Sequence, residues 1–217
     1  PAPTPAANPA AVAPQGLAPD AAAMGWSELR SAVEACEACG LCRTRNRTVF
    51  GAGPQEARWL VVGEAPGADE DASGEPFVGQ AGRLLDAMLA AIDLDRARNV
   101  FIANVVKCRP PGNRNPLPDE AASCLPYLRR QIELLSPDLV LLLGRVAAHS
   151  LLETDAGVGS LRGRVHRLRV GAREIPAVVT WHPSYLLRRP EDKALAWADL
   201  CLARESFEAG RGGGAGG

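Results

Sequence analysis

Aromatic residues are scarce in this sequence, at 5% of 217 residues, so the core must be built mainly from Leu, Val, Ile and Ala. Neither charge is in excess, since 24 Lys and Arg face 25 Asp and Glu. That balance excludes a protein coated in basic charge but permits a localised nucleic-acid site. No apolar run approaches the roughly 18 residues of a transmembrane helix, so we expect no membrane association.

The amino terminus lacks the basic segment followed by an apolar one that marks a secretory signal. We therefore expect an intracellular, cytoplasmic protein. The sequence does not begin with Met, which is compatible with a truncated amino terminus.

Both ends differ in composition from the part between them. Residues 1–23 hold six Pro and ten Ala with Asp20 as the only charge, and residues 210–217 are nearly all Gly. Such segments lack the large apolar side chains whose burial offsets the entropy of ordering. We predict a disordered arm at 1–24, one folded domain at 25–209 that acts as a monomer, and a flexible tail at 210–217.

Apolar runs alternate with amphipathic stretches between these ends. The pattern predicts strands at 58–63, 100–106, 138–144, 162–170 and 174–181. It predicts helices at 26–36, 79–92, 118–135, 145–152 and 191–208. Strands separated by helices of this length indicate an α/β fold, with a central, mainly parallel sheet in a three-layer αβα arrangement.

Unusual residues follow three of the predicted strands. They are Gly63-Glu-Ala-Pro-Gly67, Asn104 through Pro111, and His182-Pro-Ser-Tyr185. Ligands of parallel sheets bind beyond the carboxyl ends of the strands. The sequence therefore predicts one site built from three loops.

Six cysteines are placed unevenly along the chain, at Cys36, Cys39, Cys42, Cys108, Cys124 and Cys201. A secreted disulfide scaffold is normally shorter and denser in cysteine, so the clustered thiols favour a metal or cluster site. Four thiolates suit zinc or a 4Fe–4S cluster equally, and free structural cysteines are a third interpretation. Cys42 could replace a neighbour as ligand, and we expect Cys201 to be a small buried hydrophobe.

A series of motifs runs in order from about Cys36 to about Ala203. They are Cys36-Glu-Ala-Cys39, Thr48-Val-Phe-Gly51, Gly63-Glu-Ala-Pro-Gly67, Gly74-Glu-Pro-Phe-Val-Gly79, Asn104-Val-Val-Lys-Cys108-Arg-Pro-Pro111, Pro116-Leu-Pro-Asp-Glu120 and His182-Pro-Ser-Tyr-Leu186. With these motifs the sequence resembles the iron–sulfur uracil-DNA glycosylases, the type-four group of the uracil-DNA glycosylase superfamily. The resemblance implies a DNA repair enzyme that hydrolyses the N-glycosidic bond of deoxyuridine, releases uracil and leaves an abasic site.

The same resemblance implies a 4Fe–4S cluster. The ligands of the family match Cys36, Cys39, Cys108 and Cys124, whereas Cys42 departs from the family pattern.

Roles in the reaction also follow from the resemblance. The target base leaves the stack, and bond cleavage then leaves a uracil anion and an oxocarbenium-like sugar. His182 would donate to uracil O2. Asn104 would read the O4/N3 edge, because one amide supplies a donor and an acceptor. Phe77 would stack on the base, while Gly63 and Ala65 would bring backbone N–H groups close to it.

Ala65 stands where several relatives outside this group carry an Asp that orients the attacking water. Glu64 is the obvious substitute, and it either positions the water or braces the loop.

We expect DNA contacts on both sides of this site. Ser184 would hold a phosphate, and Leu186 would wedge into the gap left by the flipped base. Further phosphate contacts are expected from basic residues, namely Lys107, Arg109, Arg114, Arg188 and Arg189. The implied partner is uracil-containing DNA, single- or double-stranded.

Two alternatives remain open. One is a non-catalytic or covalently trapping uracil-DNA-binding module of the same superfamily. That behaviour is associated with a His-bearing loop, where this sequence has Lys107-Cys108-Arg109-Pro110. The other is a zinc-stabilised DNA-binding domain.

Overall fold

A computed structural model describes residues 21–212, in which a five-stranded sheet has the order β2-β1-β3-β5-β4. The strands are β1 (Trp59–Gly63), β2 (Val100–Asn104), β3 (Leu139–Leu143), β4 (Val165–Val170) and β5 (Arg173–Thr180). All pairings are parallel except that of β4 with β5, at one edge. The predicted α/β class and mainly parallel sheet are confirmed.

The α-helices of the described residues flank this sheet. They are α1 (Trp26–Glu34), α2 (Ala68–Ser73), α3 (Gln80–Ala90), α4 (Pro118–Leu135), α5 (Gly144–Leu152), α6 (Val158–Leu161), α7 (Pro183–Arg188) and α8 (Lys193–Gly212). The sequence did not predict α2, α6 and α7, because four to six residues are too few for helical spacing to emerge. Between residues 21 and 212, no helix combines the length and apolar character needed to cross a membrane.

Two hydrophobic cores lie on the two faces of the sheet. Alternate residues of a strand face opposite sides, so Leu60 and Val62 pack in the core that includes α1, α4 and α5. Trp59 and Val61 pack in the other core, with α3 and α8. Burial on both faces explains why β1, β2 and β3 are almost continuous apolar runs.

The predicted domain boundaries need correction at both ends. Ala21–Ala23 form a 3₁₀ turn in which Ala21 is buried, and the Arg130 side chain of α4 donates a hydrogen bond of 2.7 Å to the Met24 carbonyl. Residues 21–24 therefore pack on the domain instead of belonging to the arm. The last helix also extends past position 210, to Gly212. Residues 1–20 and 213–217 of the predicted arm and tail lie outside the described residues.

Candidate functional site

A pocket of about 490 Å³ opens at the carboxyl edge of the sheet. Its lining comes from all three predicted loops and includes Glu64, Ala65, Phe77, Asn104, His182, Ser184 and Arg188. The loops meet because β1, β2 and β5 are parallel and end at the same edge.

Asn104 is the last residue of β2, and its Oδ1 atom is buried without a hydrogen-bond partner among the described residues. Gly63 lies opposite it on β1. A Cβ at position 63 would stand 2.4 Å from Asn104 Oδ1 and 2.6 Å from Phe77 Cζ, so only glycine permits this approach. Because an unpaired buried acceptor is costly, this arrangement fits a ligand that presents an N–H group and a flat face.

His182 caps the amino end of α7. Its Nδ1 atom accepts a hydrogen bond of 3.2 Å from the Ser184 backbone N–H and lies 2.8 Å from Ser184 Oγ. Burial, assisted by the nearby Arg188 charge, lowers the pKa of His182 to about 4. The ring is therefore neutral at pH 7. Since Nδ1 accepts, the proton sits on Nε2, which can donate to a ligand.

Phe77 adopts a positive φ of 54°, which a bulky residue rarely does without support. Arg96 donates to the Phe77 carbonyl at 3.0 Å. A Cβ on Gly82 would stand 1.7 Å from that same carbonyl oxygen, so helix α3 approaches it closely. The Phe77 ring is thereby placed 5.5 Å from the His182 ring, centroid to centroid.

Glu70 of α2 braces the loop on either side of the pocket. Its carboxylate accepts from the backbone N–H groups of Gly67, Val78 and Gly79, at 2.9–3.1 Å. One side chain thus fixes the loop after β1 to the loop that carries Phe77.

Glu64 contributes a carboxylate to the pocket lining. Burial raises its pKa, while the charges of Arg145 and Arg188 lower it. A carboxylate with a raised pKa in a pocket is a candidate for accepting a proton from a ligand.

A second, smaller cavity is lined by five of the six cysteines, namely Cys36, Cys39, Cys42, Cys108 and Cys124. Arg45 donates to Cys108 Sγ at 3.3 Å, and the Lys107 backbone N–H donates to Cys124 Sγ at 3.3 Å. Hydrogen bonds to sulfur are typical of thiolates that bind a metal or cluster.

Burial raises the pKa of Cys108 to about 11 and that of Cys124 to about 12. These thiols therefore need a positive partner before they ionise near neutral pH. Over residues 21–212, no three Cys, His, Asp or Glu side chains are arranged to hold a single metal ion. The cavity is thus rich in sulfur donors that come from three separate segments of the chain.

The family of the chain follows from its sequence similarity to known proteins. The sequence profile described as "Uracil DNA glycosylase superfamily" matches residues 50–201, which span both the pocket and two of the cysteines of the cavity. The chain belongs to the uracil DNA glycosylase superfamily.

Several relatives in this superfamily are similar over most of the chain. A type-4 uracil-DNA glycosylase of Thermotoga maritima is 43% identical over 72% of this chain and 80% of its own. Type-4 enzymes of Archaeoglobus fulgidus and Pyrobaculum aerophilum are 41% and 38% identical. These matches cover 73% and 82% of this chain, and 81% and 93% of the relatives.

Two residues predicted to contact DNA are placed elsewhere, and both predictions need correction. Lys107 is 1% exposed and points into the protein, so it cannot reach a phosphate in this conformation. Leu186 is also 1% exposed, because α7 turns it into the core shared with α3 and α8. Its neighbour Leu187 is 44% exposed.

The other predicted contacts keep a position compatible with DNA. Arg188 is exposed and lines the pocket. Arg109 is half-buried and donates to Asn113 at 2.7 Å. Arg114 lines the pocket but pairs with both carboxylate oxygens of Glu120. The structure places Cys201 half-buried and outside the cysteine cavity, so it is less enclosed than expected.

Sequence reasoning missed three residues that shape the pocket. The Glu70 and Arg96 side chains hydrogen-bond backbone atoms of the loop that carries Phe77. The charge of Arg145 lowers the pKa of Glu64. Only the position of Arg145 carried a signal, because it lies two residues after the end of β3, close to a strand end as the predicted loops are.

Proposed function

We propose that the protein hydrolyses the N-glycosidic bond of deoxyuridine in DNA, releasing uracil and leaving an abasic site. Superfamily membership and the type-4 relatives support a DNA repair glycosylase. The observation that carries the base preference is the unpaired Asn104 Oδ1 in a pocket beside Phe77.

Asn104 reads the base in this proposal. Uracil presents an N3–H donor beside the O4 acceptor, so the Asn104 carbonyl accepts from N3–H while its NH₂ group donates to O4. The Phe77 ring supplies the stacking face. Gly63 leaves room for Asn104 and Phe77 to lie side by side, and Ala65 adds only a methyl group to the pocket lining, so the base can approach the backbone of the loop.

His182 stabilises the leaving group. When the bond between C1′ and N1 breaks, its electron pair goes to uracil, and negative charge develops at O2. The neutral His182 ring donates Nε2–H toward that oxygen without itself requiring a proton from solvent. Ser184 holds the ring in this tautomer through Nδ1.

Glu64 positions the water that attacks C1′. The water oxygen forms the new bond to C1′, and Glu64 accepts the water proton. Glu64 thereby becomes neutral as uracil leaves as an anion, so the total charge is unchanged. The raised pKa of Glu64 favours that proton transfer.

DNA lies across the mouth of the pocket in this proposal. Arg109, Arg188 and Ser184 contact phosphates of the DNA, and Leu187 fills the gap left by the flipped base. The protein acts as a monomer on single- or double-stranded uracil-containing DNA in the cytoplasm.

The second cavity holds a 4Fe–4S cluster, with Cys36, Cys39, Cys108 and Cys124 as ligands. The support is the chemistry of the donor set, in which thiols from three separate segments converge and N–H groups point at two sulfurs. When bound, the cluster supplies iron–thiolate bonds that tie these segments together. It takes no part in the hydrolysis. Cys42 lines the same cavity and is an alternative ligand to its neighbours Cys36 and Cys39.

Cleavage of labelled oligonucleotides after alkali tests the activity. We expect strand scission at a single deoxyuridine, and none in matched oligonucleotides with thymine or hypoxanthine at that position. A covalent protein–DNA band in denaturing gels without release of uracil would favour the trapping module instead. No scission and no covalent band with any substrate would overturn the proposed activity.

A further inference from the structure

We propose that Lys107 is a positioning residue that holds the base-reading Asn104 in place, with Gln131 of α4 as its anchor. This inference rests on the proposed function, because it concerns how the uracil-reading side chain is held.

Lys107 is an ammonium group enclosed by protein. Its side chain is 1% exposed, and Nζ donates to the Asn104 backbone carbonyl at 2.9 Å and to Gln131 Oε1 at 2.6 Å. Both acceptors are neutral. Lys107 also lines the cysteine cavity, where the Cys124 and Cys108 thiols are its nearest groups that can carry negative charge. Enclosing an ammonium group away from water is costly, and an apolar side chain would fill the same space without that cost. The arrangement therefore indicates a role beyond filling space.

Gln131 is a fixed anchor for this ammonium. It is fully buried, and its Nε2 atom donates to the Phe50 carbonyl at 2.9 Å. Since the amide nitrogen is committed to Phe50, the amide oxygen must face Lys107. Gln131 thus defines where Nζ lies relative to α4.

The backbone of Lys107 is held as firmly as its side chain. Its carbonyl accepts from the Val49 N–H at 2.8 Å, and its N–H donates to Cys124 Sγ at 3.3 Å. Lys107 is thus fixed from two sides: by α4, which carries Cys124 and Gln131, and by the segment of Val49 and Phe50. The segment 104–108 joins the two sites of the protein. Its Val105 and Val106 N–H groups donate to the Gly63 and Glu64 carbonyls at 3.0 and 3.2 Å, and Lys107 adds the contacts to α4.

Asn104 needs such support because it is the last residue of β2. Its Oδ1 atom has no partner in the part of the chain that the structure describes, so the position of that oxygen depends on the backbone that carries it. Lys107 bonds the carbonyl of that same residue. Removing the ammonium releases one end of the Asn104 peptide plane and lets the reading group move.

A double-mutant cycle tests the inference on the full chain with its cluster. Lys107→Met removes the donor while keeping an unbranched side chain, and Asn104→Ala removes the reading group. Single-turnover excision of uracil should fall about tenfold or more in Lys107→Met. In the Asn104→Ala background the same change should alter the rate by less than about twofold, because nothing is left to position. Multiplying effects would overturn the inference.

A binding measurement supplies a readout besides turnover. The probe is an oligonucleotide with 2′-fluoro-deoxyuridine, in which the fluorine disfavours the oxocarbenium and blocks cleavage, and the reference carries thymidine. We expect Lys107→Met to lose affinity for the fluoro-uracil probe by about tenfold and to keep its affinity for the thymidine probe. An equal loss for both probes would indicate a general structural defect and would contradict the positioning role.

Two further variants guard the result. Lys193→Met changes the only other lysine of the sequence, which is exposed at the start of α8, and should leave both readouts unchanged. If Lys107→Met does not fold, the same cycle is run with Gln131→Met, which removes the anchor and leaves the segment 104–108 intact. If wild-type protein releases no uracil, the proposed function fails; if it does and the cycle is additive, only the positioning role fails.

Discussion

The base pocket and the cysteine cavity lie at the two ends of the same short segment, 104–108, but are built on different principles. In the pocket the chain itself supplies the order. Ser184 fixes the His182 ring, while Arg96 and Glu70 fix the loop that carries Phe77. The pocket is thus complete before any ligand arrives, apart from one unpaired oxygen.

The cavity shows the reverse. Burial raises the pKa of the Cys108 and Cys124 thiols, and Arg45 and Lys107 direct N–H groups at these two sulfur atoms. A preorganised pocket serves a ligand that binds and leaves, whereas the proposed cluster would stay bound and supply positive charge to the ionised thiols. Substitutions in the pocket should therefore lower the rate of uracil excision, whereas substitutions in the cavity should lower the stability of the fold.

The largest effect on rate is expected for His182→Ala. Loss of the donor to the developing oxyanion should slow single-turnover excision by about 100- to 1,000-fold. The melting temperature should change little. His149→Ala is the control, since His149 bonds only the Ala156 carbonyl among the contacts that the structure gives it. A rate loss of under tenfold would remove His182 from the mechanism.

The largest effect on stability is expected for Cys108→Ser or Cys124→Ser. Each removes a proposed ligand that ties distant segments together. The visible absorbance of the proposed 4Fe–4S cluster should therefore disappear, and the melting temperature should fall. Cys201→Ser, outside the cavity, should do neither. A fully coloured and equally stable Cys108→Ser protein would refute the ligand assignment.

The pH dependence should distinguish the pocket from an exposed histidine. Because burial lowers the pKa of His182 from the ordinary 6.5 to about 4, the neutral ring persists as the pH falls from 7 to 5. A histidine of ordinary pKa would become cationic in this range, and a rate that depends on its neutral form would fall about 30-fold by pH 5. Because Glu64 also titrates with a raised pKa, the profile is measured in Glu64→Gln. We expect no inflection near pH 6.5 in its single-turnover rates, and an inflection there would mean that His182 is solvated.

The smallest effect is electrostatic. Arg188→Ala should flatten the dependence of log affinity on log salt by about 0.9 on duplex DNA, the value of one phosphate contact. Arg173→Ala is the matched control, since Arg173 lies at the amino end of β5 and His182 follows its carboxyl end. Lys107 should contribute nothing to the slope, because it is buried. Equal slopes for wild type and Arg188→Ala would reject this footprint.

Much of the fold was predictable, since its signals are local. Strands buried on both faces must be apolar, and α4 begins at Pro118 and ends at Leu135 as its pattern predicts. The site loops were also predictable, because polar residues directly after buried strands stand out. Asn104 and His182 carried that signal.

The rest depends on contacts that sequence spacing does not encode. Lys107 looks like a surface cation in a basic loop, and only the position of α4 shows that Gln131 draws it inward. Leu186 and Leu187 are indistinguishable in sequence, and the short helix α7 decides which of them is buried. Glu70 and Arg96 bond backbone atoms, which any sequence provides, so their roles left no trace.

The most direct test of the account is the reading code of Asn104. An Asn104→Asp carboxylate loses the donor to uracil O4 but can accept from the amino group of cytosine. The measurement is single-turnover excision from matched uracil and cytosine oligonucleotides by wild type and variant. We predict that uracil excision falls by roughly 1–3 kcal/mol in barrier, about 5- to 150-fold, and that cytosine excision falls less, so that the uracil-to-cytosine rate ratio drops. An unchanged ratio would contradict the assignment of Asn104 as the base reader and, with it, the pocket described above.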